Sequence, residues 1–280
     1  MFKMRKKEID TIYLSMGGFL LRVDFVKHDD PEIVGINNLR GQIERLFNAF
    51  IVTPKKNGHN FKIELIPQNV IYEQPNNRDA FMYFFKERGF ALTSFAHISI
   101  GQFVFLILYA LQKLLVNHGG FFFHGSAILT GECAMIFTGR PGSGKSTASR
   151  LLENEFPILA DDSMIIRKQK GQFYMYQVPP IEKNKTIRRS PNKYKVSKIF
   201  FLQKSTVGAT SLLSNDSEMF LKFFGEVWSQ KKDVVTQKKL IIDIMDTLVK
   251  RKSLMLLKFP KRRNVLNKLI VQQAHAGPKQ

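Results

Sequence analysis

The stretch His124–Asp162 reads HGSAILTGECAMIFTGRPGSGKSTASRLLENEFPILADD, and the rest of the chain is understood outward from it. At its centre Gly139-Arg140-Pro141-Gly142-Ser143-Gly144-Lys145-Ser146 fits the pattern G-x-x-x-x-G-K-[ST], and Thr147 follows directly. Glycines at these positions permit backbone angles that turn successive N–H groups inward, making a nest for an anion. A helix is predicted from Lys145 to about Asn154, and it adds the positive end of its dipole. Lys145 has the reach for the β- and γ-phosphates of a nucleoside triphosphate, and the Ser146 hydroxyl can ligate Mg²⁺. Such a pattern also occurs by chance. Here it lies between a strand, CAMIF, and an amphipathic helix, which is the context a phosphate-binding loop requires.

Downstream, Asp161 and Asp162 end the strand-like run FPILA. A short helix, a turn and a strand fill the interval from Lys145, so the strand is expected to return beside CAMIF and bring both carboxylates to the terminal phosphate. One carboxylate can then hold Mg²⁺ while the other accepts a proton from an attacking hydroxyl. The plain alternative is an Asp-Asp cap on a strand end. Upstream, FFFHGSAIL and CAMIFTG are joined by Thr130-Gly131-Glu132 with the spacing of an antiparallel hairpin. That hairpin puts His124 beside the CAMIF strand, where it contacts a phosphate, orients a carboxylate, or serves as a hydrogen-bonded core residue.

Farther out, Ile100–Asn117 reads as a long apolar helix stopped at His118-Gly119-Gly120. Its uninterrupted apolar run, Phe103–Leu111, is shorter than the roughly 20 residues a bilayer requires, so a buried helix is expected and no membrane span. Residues 1–95 read as a small α+β region without a chemical motif. They contain a hairpin about Met16-Gly17-Gly18, a helix within Leu39–Phe50, the strand FKIELIP and the polar loop Gln68–Arg78. Residues 96–280 form the phosphate-loop domain of an α/β protein. Its later part holds a hairpin about Lys170-Gly171 ending at Pro179-Pro180, the strand VSKIFFLQK, helices at FLKFFGEVW and KLIIDIMDTLVKRK, and a last strand before a basic tail.

Composition sets the outer bounds. With 44% hydrophobic and 12% aromatic residues, the 280-residue chain can build a sizeable core, which excludes intrinsic disorder. The single cysteine, Cys133, excludes an intramolecular disulfide and any multi-cysteine metal site, and its apolar surroundings suggest a buried structural thiol. A cytoplasmic location is expected, since the basic amino terminus lacks an apolar segment of the secretory kind. The net charge is +20, yet the lysines are spread along the chain. The densest clusters, Lys3–Lys7, Lys183–Lys195 and Lys258–Arg263, read as solvated faces or loops. No helicase or nucleic-acid-recognition motif accompanies them, so no nucleic-acid partner is expected.

The run from His124 to Arg167 resembles the catalytic domain of the HPr kinase/phosphorylase family and its relatives, among them the lasso-peptide serine kinases. The resemblance extends over Phe103–Gln203, in the order apolar helix, Gly-Gly, His-Gly strand, hairpin, Walker A loop, Ala-Asp-Asp. It implies a fold related to that of phosphoenolpyruvate carboxykinase and an ATP- and Mg²⁺-dependent kinase. The acceptor would be a hydroxyl, of Ser above all, on a protein, peptide or small molecule. The resemblance also implies that His124 and Lys145 are active-site residues, that Asp162 accepts the proton, and that Asp161 and Ser146 place the metal. Relatives of the HPr type are often oligomers. The chain departs from the HPr enzymes at KNKTIRRSP (183–191), which is basic where they carry a Gly-rich signature with a second acidic metal ligand. The resemblance is therefore to the HPr-kinase-like relatives, in which a proline such as Pro179 or Pro180 shapes the substrate entrance. Arg140, Arg188, Arg189, Arg262 and Arg263 are the candidates to neutralise transition-state charge. A non-catalytic nucleotide-binding switch and a nucleic-acid-associated NTPase are the rival classes.

Overall fold

The computed structural model describes residues 9–26, 35–54, 58–66, 85–178, 187–213, 217–228 and 234–275. The basic cluster Lys3–Lys7, the loop Gln68–Arg78, the pair Pro179-Pro180 and residues 183–186 of the second basic cluster lie outside the described residues. The chain folds as two units, Met1–Leu114 and Leu115–Gln280.

In the first unit, β1 (Ile9–Met16) and β2 (Phe19–Val26) form an antiparallel hairpin. Its turn is Gly17-Gly18, both residues at positive φ, the geometry that matches the twist of the flanking strands. Helix α1 (Gly35–Phe47), β3 (Phe61–Ile66), β4 (Phe85–Arg88), β5 (Ala91–Phe95) and helix α2 (Ile100–Asn117) follow. The sheet order is β1-β2-β3-β5-β4, parallel where β3 meets β2 and β5, antiparallel at both edges. Strand alternation buries Leu14, Leu21, Val23, Phe61, Ile63 and Leu92 on one face. The edge-on pair Phe47–Phe103 joins the two helices at 5.7 Å. Thr11, Arg22 and Lys62 on the other face surround the buried Asp24 carboxylate. By length and composition α2 is apolar enough to cross a membrane, and half of it is buried within the protein.

The second unit continues with β6 (Gly120–His124), β7 (Ser126–Thr130), β8 (Cys133–Thr138), α3 (Lys145–Leu152), β9 (Ile158–Ala160), β10 (Ser163–Gln169) and β11 (Gln172–Gln177). Then come β12 (Lys193–Lys204), β13 (Ala209–Leu212), α4 (Ser217–Gly225), β14 (Val227–Trp228), α5 (Val234–Lys250), β15 (Leu254–Phe259) and α6 (Arg263–His275). The sheet runs β14-β6-β10-β11-β12-β8-β7-β9, and β15 joins the carboxyl half of β12, with β13 outside it. β8, β12 and β15 are parallel and end on the same side. Their side chains alternate between two apolar layers. Met135, Phe137, Phe200, Leu202, Leu257 and Phe259 face Ala148 and Leu152 of α3 and Leu266 and Ile270 of α6. Ile136, Ile199 and Phe201 belong to the opposite layer with Met219 and Phe223 of α4 and Ile244 and Leu248 of α5. A sheet covered on both faces needs the near-continuous apolar runs seen in CAMIF and KIFFL.

Five expectations are corrected. FFFHGSAIL is two strands broken at Gly125: β6 pairs with β10 and β14, whereas β7 pairs with β8 and β9. Glycine is needed at the break, because a Cβ at Gly125 would stand 2.7 Å from the Phe137 carbonyl oxygen. Next, β9 returns beside β7 and not beside β8. The helix within FLKFFGEVW stops at Gly225, and Val227–Trp228 is an edge strand on β6. The basic tail is helix α6, held by the fully buried Leu266 and Ile270. Cys133, expected to be buried, is half-exposed at the hairpin end of β8.

Candidate active site

β8 is buried from Ala134 to Thr138 and feeds directly into the loop of residues 139–144. Gly139, Gly142 and Gly144 take φ values of +138°, +78° and +106°, angles that side chains resist. A Cβ at Gly144 would lie 3.3 Å from the Phe259 ring, so the loop rests on the end of β15. Within the loop the Ser143 N–H donates to the Arg140 carbonyl at 3.0 Å, and the Ala148 N–H donates to the Gly144 carbonyl at 2.8 Å to start α3. Lys145 is buried, and its ammonium donates to the Gly139 carbonyl at 2.5 Å. The Ser126 hydroxyl donates to the Lys145 carbonyl at 2.9 Å, which ties β7 to the first turn of α3.

A cavity of about 300 Å³ opens over this loop. Pro141, Gly142, Gly144, Lys145, Ser146 and Thr147 form its floor. His124, Asp161 and Asp162 line it as well, together with two lysines not read as site residues from sequence, Lys204 and Lys261, the second within the basic cluster Lys258–Arg263. Gly139, Arg140 and Ser143 instead line a neighbouring cleft of about 810 Å³ across Pro141, shared with Gln203, Met219, Lys222 and Glu226.

The strand break at Gly125 is what brings the acidic pair to the histidine. The Gly125 N–H donates to the Asp162 carbonyl at 3.0 Å, and Ser163 pairs with His124 in the β10–β6 ladder. His124 Nδ1 then lies 3.6 Å from Asp162 Oδ1, while the Thr138 hydroxyl donates to the His124 carbonyl at 3.0 Å. The two aspartates have different settings. Asp161 is 8% exposed, within 3.5 Å of the Ser149 hydroxyl and 3.7 Å of Arg150 Nη2, so it is tied to α3. Asp162 is 44% exposed and open to the cavity.

Glu226 was missed by sequence reasoning. It follows α4, is buried, and its carbonyl accepts the His124 N–H at 2.7 Å. Burial pushes its carboxyl above the usual range, opposed by the positive fields of Lys145 and His124. Burial likewise pulls the Lys145 ammonium below the lysine range, opposed by Glu226 and Asp162. Nothing local in FFGEVW announces this role. The pairing of β14 with β6 brings the carboxylate to the neighbouring cleft, within the field of Lys145.

Among the described residues no group of three or more His, Cys, Asp or Glu side chains is placed to hold a metal ion. Ser146 and Asp161 offer oxygen ligands of the kind Mg²⁺ accepts, and Mg²⁺ commonly completes its shell with water and substrate phosphates. The donor set fits that ion and would not suit zinc.

No protein-family model matches the chain, and no curated protein matches it. Among solved structures it is similar to the HPr(Ser) kinase/phosphatase from Coxiella burnetii, at 13% sequence identity and a TM-score of 0.30. That match covers 55% of this chain and 95% of the other.

Proposed function

We propose that this chain is an ATP- and Mg²⁺-dependent kinase that transfers the γ-phosphoryl group to a hydroxyl of a protein, peptide or small molecule. The observation that carries the reading is the convergence of His124, Lys145, Asp161 and Asp162 on one cavity over a glycine loop at a helix start. The loop N–H groups and Lys145 hold the phosphates, and Lys145 leaves the Gly139 carbonyl to do so. Asp162, the exposed carboxylate, accepts the hydroxyl proton as the acceptor oxygen bonds to phosphorus and the bond to the leaving diphosphate breaks. His124 orients Asp162, and Asp161 with Ser146 positions the metal. Bound Mg²⁺ would neutralise charge on the phosphates.

The test uses γ-labelled ATP, Mg²⁺ and a library of hydroxyl-bearing peptides and metabolites. Asp162→Asn is expected to lower label transfer by at least about 100-fold while leaving ATP binding in place. Lys145→Ala is expected to lose both. Label transfer that survived both substitutions would overturn the reading. ATP binding by the wild-type chain with no transfer to any acceptor would favour a nucleotide-dependent switch instead.

A further inference from the structure

The cavity holds more positive charge than the chemistry above has used. Lys204 is the last residue of β12, and Lys261 stands two residues beyond the end of β15. The parallel register sets Lys204 opposite Phe259, the residue whose ring supports Gly144. Strand alternation then separates the side chains. Lys204 follows the parity of Phe200 and Leu202 onto the α3 side of the sheet, and Lys261, past the strand end, lines the same cavity. Gln203, of opposite parity, lines the neighbouring cleft instead.

Each carboxylate of the cavity has another partner: Asp161 lies 3.7 Å from Arg150 Nη2, and Asp162 Oδ1 lies 3.6 Å from His124 Nδ1. Among the described residues neither Lys204 nor Lys261 makes an ion pair. The arginines are disposed elsewhere: Arg263 pairs with Glu155 at 2.7 Å, Arg140 lines the other cleft, and Arg188, Arg189 and Arg262 do not line the cavity. A phosphoryl group in transfer spreads negative charge over three oxygens and calls for cations beyond the loop lysine.

We infer that Lys204 and Lys261, reaching in from the ends of β12 and β15, clamp the γ-phosphoryl group on the side facing Asp162 and take the part expected of an arginine. The inference rests on the nucleotide-binding reading above and adds to it the residues that tell a triphosphate from a diphosphate.

Calorimetric titration with MgATP and MgADP tests it on the full chain. The Lys204→Gln/Lys261→Gln variant is expected to bind ATP roughly 10- to 100-fold more weakly while ADP affinity stays within about twofold. The Lys204→Arg/Lys261→Arg variant is expected to restore the ATP preference. Equal losses for ATP and ADP, or no loss for either, would overturn the clamp and leave the nucleotide site standing. A wild-type chain that binds neither nucleotide would overturn the loop reading itself, and the clamp with it. Unchanged melting of both variants without nucleotide checks that the fold is retained.

Discussion

At Glu226 a carboxylate sits in a buried position beside a buried ammonium, Lys145, and each is displaced toward its neutral form by desolvation. The sign of the consequence follows from proton binding. Because the folded carboxyl holds its proton to a higher pH than the unfolded one, stability falls as pH rises through that interval. Below the ordinary carboxylate range both states are protonated and the penalty is absent. Glu226→Gln removes the titration, so its stability relative to wild type is expected to rise as pH is raised from the ordinary carboxylate range and then to level off. Thermal melts of both proteins from acid to neutral pH check it. A difference independent of pH would refute it. Of the site residues, those within the loop were legible from sequence because their spacing is local. Glu226, Lys204 and Lys261 were not, because strand pairing brings them together.

The elements show the same division. Helix α2 was readable end to end, Ile100 to Asn117, because apolar periodicity and a Gly-Gly stop are carried by neighbouring residues. The strand break at Gly125 was not readable. FFFHGSAIL is β-prone on both sides of Gly125, and the two halves part to different partners where the Phe137 carbonyl lies against that glycine. Gly125→Ala is therefore expected to destabilise the protein by about 1–3 kcal/mol through overpacking against the backbone. It should also weaken label transfer more than ATP binding, since the Gly125 N–H holds Asp162. Denaturant unfolding and the transfer assay together check this. An alanine variant as stable and as active as wild type would rule out the close approach. Helix α6 is a related case, hidden in a segment that reads as basic and polar until the few apolar positions Leu266 and Ile270 find the layer they cover.

Over the whole molecule, 43 Lys and Arg residues stand against 23 Asp and Glu, and the folded chain bears a net charge of +20. Holding that charge together opposes folding through self-repulsion, which salt screens. Raising the salt from about 10 to 100 mM shortens the screening length from roughly 30 to 10 Å, and the thermal midpoint is expected to rise by about 2–4 °C. A midpoint that fell over this range would mean that attractive ion pairs, such as Arg263–Glu155, outweigh the repulsion. In a chain whose lysines read as a solvated background, two of them, Lys204 and Lys261, line the cavity over the glycine loop.

What the sequence alone determined is the group of features whose cause is local. These are the glycine loop between a strand and a helix, the buried helix before it, the hairpin turns at Gly17-Gly18 and Lys170-Gly171, and the acidic pair after FPILA. Each depends on backbone angles or periodicities set within a few residues. The tertiary structure decided which strands are neighbours, and with that which wall of the cavity each side chain lines. Sheet pairing is non-local, and a residue's position in the chain gives no measure of it. For that reason His124 reached the acidic pair through β6 and β10 and not through the expected hairpin, and Glu226, Lys204 and Lys261 came to the loop from segments that carry no motif.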